Sequence, residues 1–263
     1  MCAVSYLNTV PLVWGLTHGP QRGEFELDFA LPSECAARLA GGRADIGLPP
    51  VAVLLDQELT IFQGAGIACR GPVRTILLIS KVPFARVRTL ATDAGSRTSV
   101  LLSRIVLAGH GAEPSLASMP PDLRTMLEVA DAALVIGDAA LRLNPAALRD
   151  TGLYVADLGE EWVNRTGLPM VFAVWAGRSP AWSAERERVF VDSARYGLEH
   201  IDEIAQAESE KRGVTTQLAR DYLTHNLVLE LGDAEYRGLQ RFLSLARELG
   251  PAEPIPAAAA REE

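Results

Sequence analysis

Only three cysteines occur in the 263 residues, Cys2, Cys35 and Cys69. Their number is odd, and none stands at a metal-binding spacing from another cysteine or a histidine. Buried, reduced thiols are therefore expected, not a disulfide framework. The four histidines, His18, His110, His200 and His225, form no His-x-x-x-His or His-x-Glu pattern, which removes the usual zinc signatures. Gly-x-x-x-x-Gly-Lys, Gly-x-Gly-x-x-Gly and Gly-x-Ser-x-Gly are all missing, so neither nucleotide cofactors nor serine hydrolysis is supported. The expectation is a protein without cofactor or metal. No run approaches about 18 uninterrupted apolar residues, so no membrane span or membrane partner is expected. The start of the sequence lacks a basic segment followed by an apolar stretch and a cleavage site, and a cytoplasmic location is expected.

Positive charge is also scarce. Lys and Arg total 25 against 33 Asp and Glu, a net charge of −8, and no stretch gathers enough cations to bind phosphate backbones. Nucleic acid is not an expected partner. An anionic ligand would have to find positive potential locally, against the field of the whole molecule.

What remains is ordinary globular material, 48% hydrophobic and 22% charged, long enough for two small domains. Nothing in it specifies an oligomeric state. Short β-type runs alternate with helical patterns. Strands are expected near 3–6, 25–29, 44–48, 89–92, 132–136 and 153–156, and helices near 11–16, 32–41, 51–55, 97–108, 121–128 and 139–143. Such alternation argues for parallel sheets. Longer apolar strands near 73–80 and 170–175 interrupt the series and are read as two crossings between lobes. The lobes would be 1–80 plus 178–263, and 84–172, with a ligand cleft between them facing the strand ends. After Pro180 the pattern is helical to Leu249, and 251–263 reads as a loose tail.

Four places could carry chemistry. In Asp93-Ala94-Gly95-Ser96-Arg97-Thr98-Ser99, a strand ends, a glycine turns, and hydroxyls and an arginine occupy the first turn of a helix. Ser96 as a plain N-cap is one reading. The other is an anion site, with Ser96, Thr98 and Ser99 as donors, Arg97 as a fork, and the helix dipole behind them. Ser5-Tyr6-Leu7-Asn8-Thr9 is a second strand-to-helix turn. Asn8 either caps the helix or holds a hydroxyl or enol oxygen, since its amide both donates and accepts. In Gly137-Asp138, the aspartate suits a helix cap and the glycine suits close approach of a ligand to the backbone. Thr75, alone in a strand, reads as packing.

These blocks resemble the chorismate dehydratase family. The resemblance is carried by Ser5-Tyr6-Leu7-Asn8-Thr9 with Pro11-Leu12, by Asp45-Ile46 and by Gly71-Pro72-Val73. It continues in Ser96-Arg97-Thr98-Ser99-Val100, Ile136-Gly137-Asp138-Ala139-Ala140-Leu141, and Gly167-Leu168-Pro169 running into Val171-Phe172-Ala173-Val174-Trp175. The blocks stand in the family's order across 3–178. The resemblance implies an α/β, two-lobed, periplasmic-binding-protein-like fold of type II with two crossing strands and a helical C-terminal part. It implies conversion of chorismate, a small dicarboxylate, to 3-(1-carboxyvinyloxy)benzoate and water, a step of menaquinone biosynthesis by the futalosine route. Asn8 and Thr75 match the family's catalytic positions, with Ser5, Ser96, Arg97, Thr98, Ser99, Gly137 and Asp138 expected to bind substrate. Near Pro49-Pro50-Val51, relatives often carry a Ser or Thr that is missing here. The alternative on the same fold is a solute-binding protein for a small anion that does no chemistry. The naphthoate-forming enzyme of the pathway opens with a Ser-Pro-Cys-Pro-Asn type of segment, absent here. A ligand-sensing regulator would need a DNA-binding part that this sequence does not display.

Overall fold

The computed structural model describes residues 1–93, 95 and 97–250. Ser96 and the tail expected over 251–263 lie outside the described residues. The chain first lays down β1 (Cys2–Val4), β2 (Asp28–Ala30), β3 (Ile46–Gly47) and β4 (Thr60–Cys69). It then builds β5 (Ile76–Ser80), β6 (Thr89–Asp93), β7 (Ser115–Met119), β8 (Ala132–Ile136) and β9 (Tyr154–Asp157). It returns through β10 (Met170–Gly177) and β11 (Val228–Glu230). The strands form two sheets, in the orders β11-β4-β10-β3-β1-β2 and β7-β6-β8-β5-β9.

Helices between strands place β1, β2 and β3 parallel to one another, and likewise β6, β7 and β8. The expectation of parallel sheets holds only for these units. β5 runs antiparallel to β8 and β9, and β10 antiparallel to β3 and β4, so both sheets are mixed. The reason is that β5 and β10 each follow a transfer of the chain from one sheet to the other. Both strands are buried at every residue, as strands covered on both faces must be. Each is hydrogen-bonded within one sheet, β5 in the second and β10 in the first. The chain changes sheet in the short segments just before them, over 70–75 and 167–169.

The helices Pro145–Asp150 and Leu158–Thr166 and two strands depart from the expected pattern. Ser115–Met119 is an edge strand, and Val228–Glu230 interrupts the C-terminal part expected to be helical throughout. That part otherwise holds the helices Ala184–Glu199, Ile201–Arg212, Thr216–Asp221 and Asp233–Glu248. Ala184–Glu199 lies against the helix Val10–Thr17 so closely that a side chain at Gly197 would meet the Pro11 carbonyl oxygen at 1.9 Å. Ser193 Oγ donates to Leu12 O at 2.8 Å across the same contact. The cysteines are buried and unpaired.

The first crossing is fastened by one carboxylate. Asp157 ends β9 and caps the helix Leu158–Thr166, accepting from Gly159 N and Glu160 N at 2.9 and 3.2 Å. It also accepts from Val73 N at 2.9 Å and Arg74 N at 2.6 Å. Burial pushes its carboxyl above the ordinary range, against the pull of four N–H donors. Arg74 takes a left-handed backbone, φ 68°, which costs a non-glycine residue about 1 kcal/mol or more. Its guanidinium offsets this by donating to the carbonyls of Ala140 and Leu141 at 3.1 and 3.3 Å and to that of Leu143. Asp157→Ala leaves buried N–H groups without partners and is expected to cost about 3 kcal/mol of stability in denaturant unfolding. A loss below about 1 kcal/mol would mean that water or relaxation replaces the carboxylate.

Candidate active site

The crossing delivers Thr75 to the seam between the sheets, where a pocket of about 500 Å³, including its open mouth, is formed. That is the size of sites for small molecules. The first lobe supplies Val4, Tyr6, Asn8, Pro32, Pro50 and Ile67; the crossing supplies Val73, Thr75 and Ile76. Ser99, Ile136 and Gly137 come from the second sheet and its helices, and Phe172 and Ala173 from β10. Among the described residues, no charged side chain lines it. Its polar groups are neutral: Asn8, Thr75, Ser99 and the Tyr6 phenol.

Asn8 stands in the 3-10 turn Leu7–Thr9 that leads into the helix Val10–Thr17. It does not cap that helix; the capping position belongs to Thr9, and no side chain satisfies it. Asn8 Oδ1 accepts from Thr9 Oγ1 at 3.5 Å, and the side chain lines the pocket. Thr75 Oγ1 lies 3.0 Å from the hydroxyl of Tyr222, which also interacts with the Asn8 side chain. Burial, foremost, pushes the Tyr222 phenol well above its usual value, with the Asp138 charge adding to the rise and the hydrogen bonds to Thr75 and Asn8 opposing it. The phenol therefore remains protonated at neutral pH and joins the two candidate catalytic side chains from behind. Tyr222 opens the π-helical turn Tyr222–Asn226, a local widening that is frequent at functional sites.

Gly137 follows β8 and opens the helix Gly137–Arg142 with φ 61°, and it donates its N–H to Thr75 O at 2.8 Å. A Cβ at Gly137 would lie 3.0 Å from the Tyr6 ring, so both backbone and neighbour require glycine. The Tyr6 phenol is pushed up to about 12 by burial first and then by Asp93 and Asp138. It too stays protonated, as a donor.

Other expected site residues stand elsewhere. Asp138 does not cap its own helix, Gly137–Arg142. It reaches across the seam, accepting from Leu7 N at 3.2 Å and from Arg212 at 2.7 Å. Thr98 and Ser99 lie buried in the first turn of the helix Arg97–Ala108, and Ser99 faces the pocket. Thr98 Oγ1 instead accepts from Ala52 N at 3.0 Å, tying the two lobes together. Arg97 is half-exposed and pairs with Asp56, whose carboxyl that hydrogen bond holds below its usual range. Ser5 lines a neighbouring groove with Trp14, His18 and Arg212, and its carbonyl accepts from Arg212 at 2.5 Å. Sequence reasoning missed Tyr6, Tyr222 and Arg212. Tyr6 sits inside a block already singled out. Tyr222 and Arg212 lie in the C-terminal helical part, where no local pattern distinguishes them from surface-helix residues.

Solved structures share this architecture. A protein of Archaeoglobus fulgidus superposes with a TM-score of 0.71 at 19% identity, covering 94% of this chain and 96% of its own. The periplasmic aliphatic sulphonate binding protein of Escherichia coli superposes with a TM-score of 0.64 at 14% identity, over 94% and 85%. At these identities the likeness establishes the periplasmic-binding-protein-like fold and nothing more. A curated protein of Thermus thermophilus, named chorismate dehydratase, is 29% identical over 253 residues, 90% of this chain and 91% of the relative. The family model described as menaquinone biosynthesis matches residues 1–248, and the chain belongs to that family.

Proposed function

We propose that the chain is a chorismate dehydratase, a hydro-lyase that converts chorismate to 3-(1-carboxyvinyloxy)benzoate and water in the cytoplasm without a cofactor. The observation that carries this reading is the convergence of Asn8, Thr75, Ser99 and Gly137 on one pocket between the lobes, in a chain whose curated relative bears that name. In the reaction a ring C–H bond breaks and its electron pair becomes the third double bond of the ring. The ring hydroxyl leaves with the electrons of its C–O bond, and proton and hydroxide depart as water. Aromatisation supplies the driving force, so the protein needs chiefly to orient the substrate and to stabilise the charge that develops.

No His, Asp, Glu or Lys lines the pocket among the described residues, which leaves no protein group there suited to proton abstraction. The substrate's own enolpyruvyl carboxylate takes the proton, and Asn8 holds that carboxylate and the departing hydroxyl in a fixed relation. Thr75 and Ser99 supply further donors. The lobes read from the sequence as 1–80 plus 178–263 and 84–172 change over earlier than those bounds, at the crossings 70–75 and 167–169, because β5 belongs to the second sheet and β10 to the first; they move about these crossings and exclude water on closing. The test is incubation with chorismate, followed by the rise of aromatic absorbance and the mass of the product. Binding without conversion would instead favour a solute-binding protein for small anions.

Asn8→Ala is expected to lower single-turnover product formation by about 100-fold while calorimetric affinity for chorismate changes by less than about threefold. Product formation at the parent rate would take Asn8 out of the chemical step. Tyr222→Phe is expected to lower kcat about tenfold with KM nearly unchanged, because the hydroxyl that joins Thr75 to Asn8 is removed without opening the pocket. A rise in KM with kcat intact would place Tyr222 in ground-state binding.

A further inference from the structure

Three bonds cross the seam at one point. Asp138 divides its oxygens: Oδ1 accepts from Leu7 N at 3.2 Å, and Oδ2 accepts from Arg212 Nη1 at 2.7 Å. Arg142, at the other end of the same short helix Gly137–Arg142, donates to the carbonyl of Arg212 at 3.1 Å. Arg212 is itself fixed on the first lobe. It ends the helix Ile201–Arg212, Gly213 closes that helix with a left-handed backbone, and Glu208 one turn earlier accepts from its guanidinium at 3.0 and 3.2 Å. Nη1 also donates to Ser5 O at 2.5 Å. Arg212 thus holds the residue that enters the Asn8 turn and, from the other side, the aspartate that caps it.

Another charged contact over the seam is of a different kind. Arg97 and Asp56 have side chains 52% and 55% exposed, whereas those of Arg212 and Asp138 are 18% and 16% exposed. Exposed pairs contribute little and are screened by salt; partly buried, charge-assisted bonds of good geometry persist. Asp138 also touches the backbone one residue from Asn8, while Arg97 is not among the residues that line the pocket.

We infer that the Asp138–Arg212 pair is the latch that holds the lobes closed and sets the Asn8 turn against the second lobe. The two are positioning residues: neither lines the pocket with Asn8, and Asp138 acts through Leu7 N. The inference on closure stands on the geometry alone, and its consequence for turnover rests on the proposed dehydratase reading.

The experiment compares the whole parent chain with Asp138→Asn and Arg212→Gln. Asp138→Asn keeps an oxygen for Leu7 N and removes the charge; Arg212→Gln removes the fork from the other lobe. Amide hydrogen exchange over 5–9 is expected to quicken about tenfold or more in both variants, while β8 keeps the parent's protection. Small-angle scattering should register a radius of gyration larger by about 1 Å, on the roughly 18 Å expected for this length. With chorismate, kcat should fall about tenfold in both. Unchanged local exchange and scattering would overturn the latch, and so would exchange that quickens evenly through both sheets, which marks a loss of general stability only. A parent chain that makes no aromatic product would sink the dehydratase reading and leave exchange and scattering to decide the latch. Should one variant fail to fold, the other carries the same comparison.

Discussion

The site is built on four hydrogen bonds to one buried carboxylate. Asp157 must be satisfied where it stands, because an unpaired carboxylate out of water is far more costly than any packing it could gain. It finds two donors in the helix it caps and two in the crossing, at Val73 and Arg74. That fixes the entry of the chain into the second sheet, and with it the left-handed turn at Arg74. From there the positions follow in order. Thr75 is delivered to the pocket, its carbonyl receives Gly137 N, and its hydroxyl meets Tyr222, which also reaches Asn8. Side chains far apart in sequence are thus placed by a short chain of hydrogen bonds whose first member lies outside the pocket.

Such an arrangement explains why the two lobes contribute unlike things. The second lobe gives backbone geometry: the glycine at 137, the helix start that carries Ser99, and the aspartate that grips Leu7. The first lobe gives the side chains with conformational choices, Asn8 and Tyr6, and also the C-terminal helices that limit those choices. Tyr6 packs its ring on Gly137, and the tight fit works only because that glycine has no Cβ. The contact is therefore specific to a closed seam.

Much of the fold was legible because its signals are local. The helix Arg97–Ala108 and the strand Ala132–Ile136 stand where period and turn residues put them. Ser115–Met119 escaped because a half-exposed edge strand with serines at 115 and 118, followed by Pro120-Pro121, carries little apolar signal. Leu158–Thr166 was overlooked although Asp157 before it and Gly167 after it are proper caps, since one residue ends the strand and starts the helix. Antiparallel pairing of β5 and β10 is a consequence of where the chain changes sheet, and periodicity does not record that. In the site, the blocks around Asn8, Ser99 and Gly137 were visible as strand-to-helix turns. Their partners were not: a tyrosine in a π turn and an arginine at a helix end become informative only when tertiary contacts bring them to Thr75 and Asp138. Asp138 shows the limit from the other side. A residue in the first turn of a helix reads as a cap, and here the same carboxylate is spent on a different turn.

A pocket lined by neutral groups, in a chain of net charge −8, sets a condition on how a dicarboxylate is held. Fixed cations would bind the two carboxylates strongly, but they would stabilise the substrate's charge as much as the transition state's and would add binding without rate. Neutral donors aimed by a rigid frame behave differently. Their dipoles cost no reorganisation when charge shifts within the substrate, and they gain strength once closure removes water. They also leave a carboxylate basic enough to take a proton, which a tight ion pair would oppose by favouring its charged form. On the proposed reaction, then, a lining without cations among the described residues is what lets the substrate serve as its own base. The charges that close the lobes are held outside the pocket, at Asp138 and Arg212, where they act on the turn beside Asn8 and leave the reacting carboxylate unpaired.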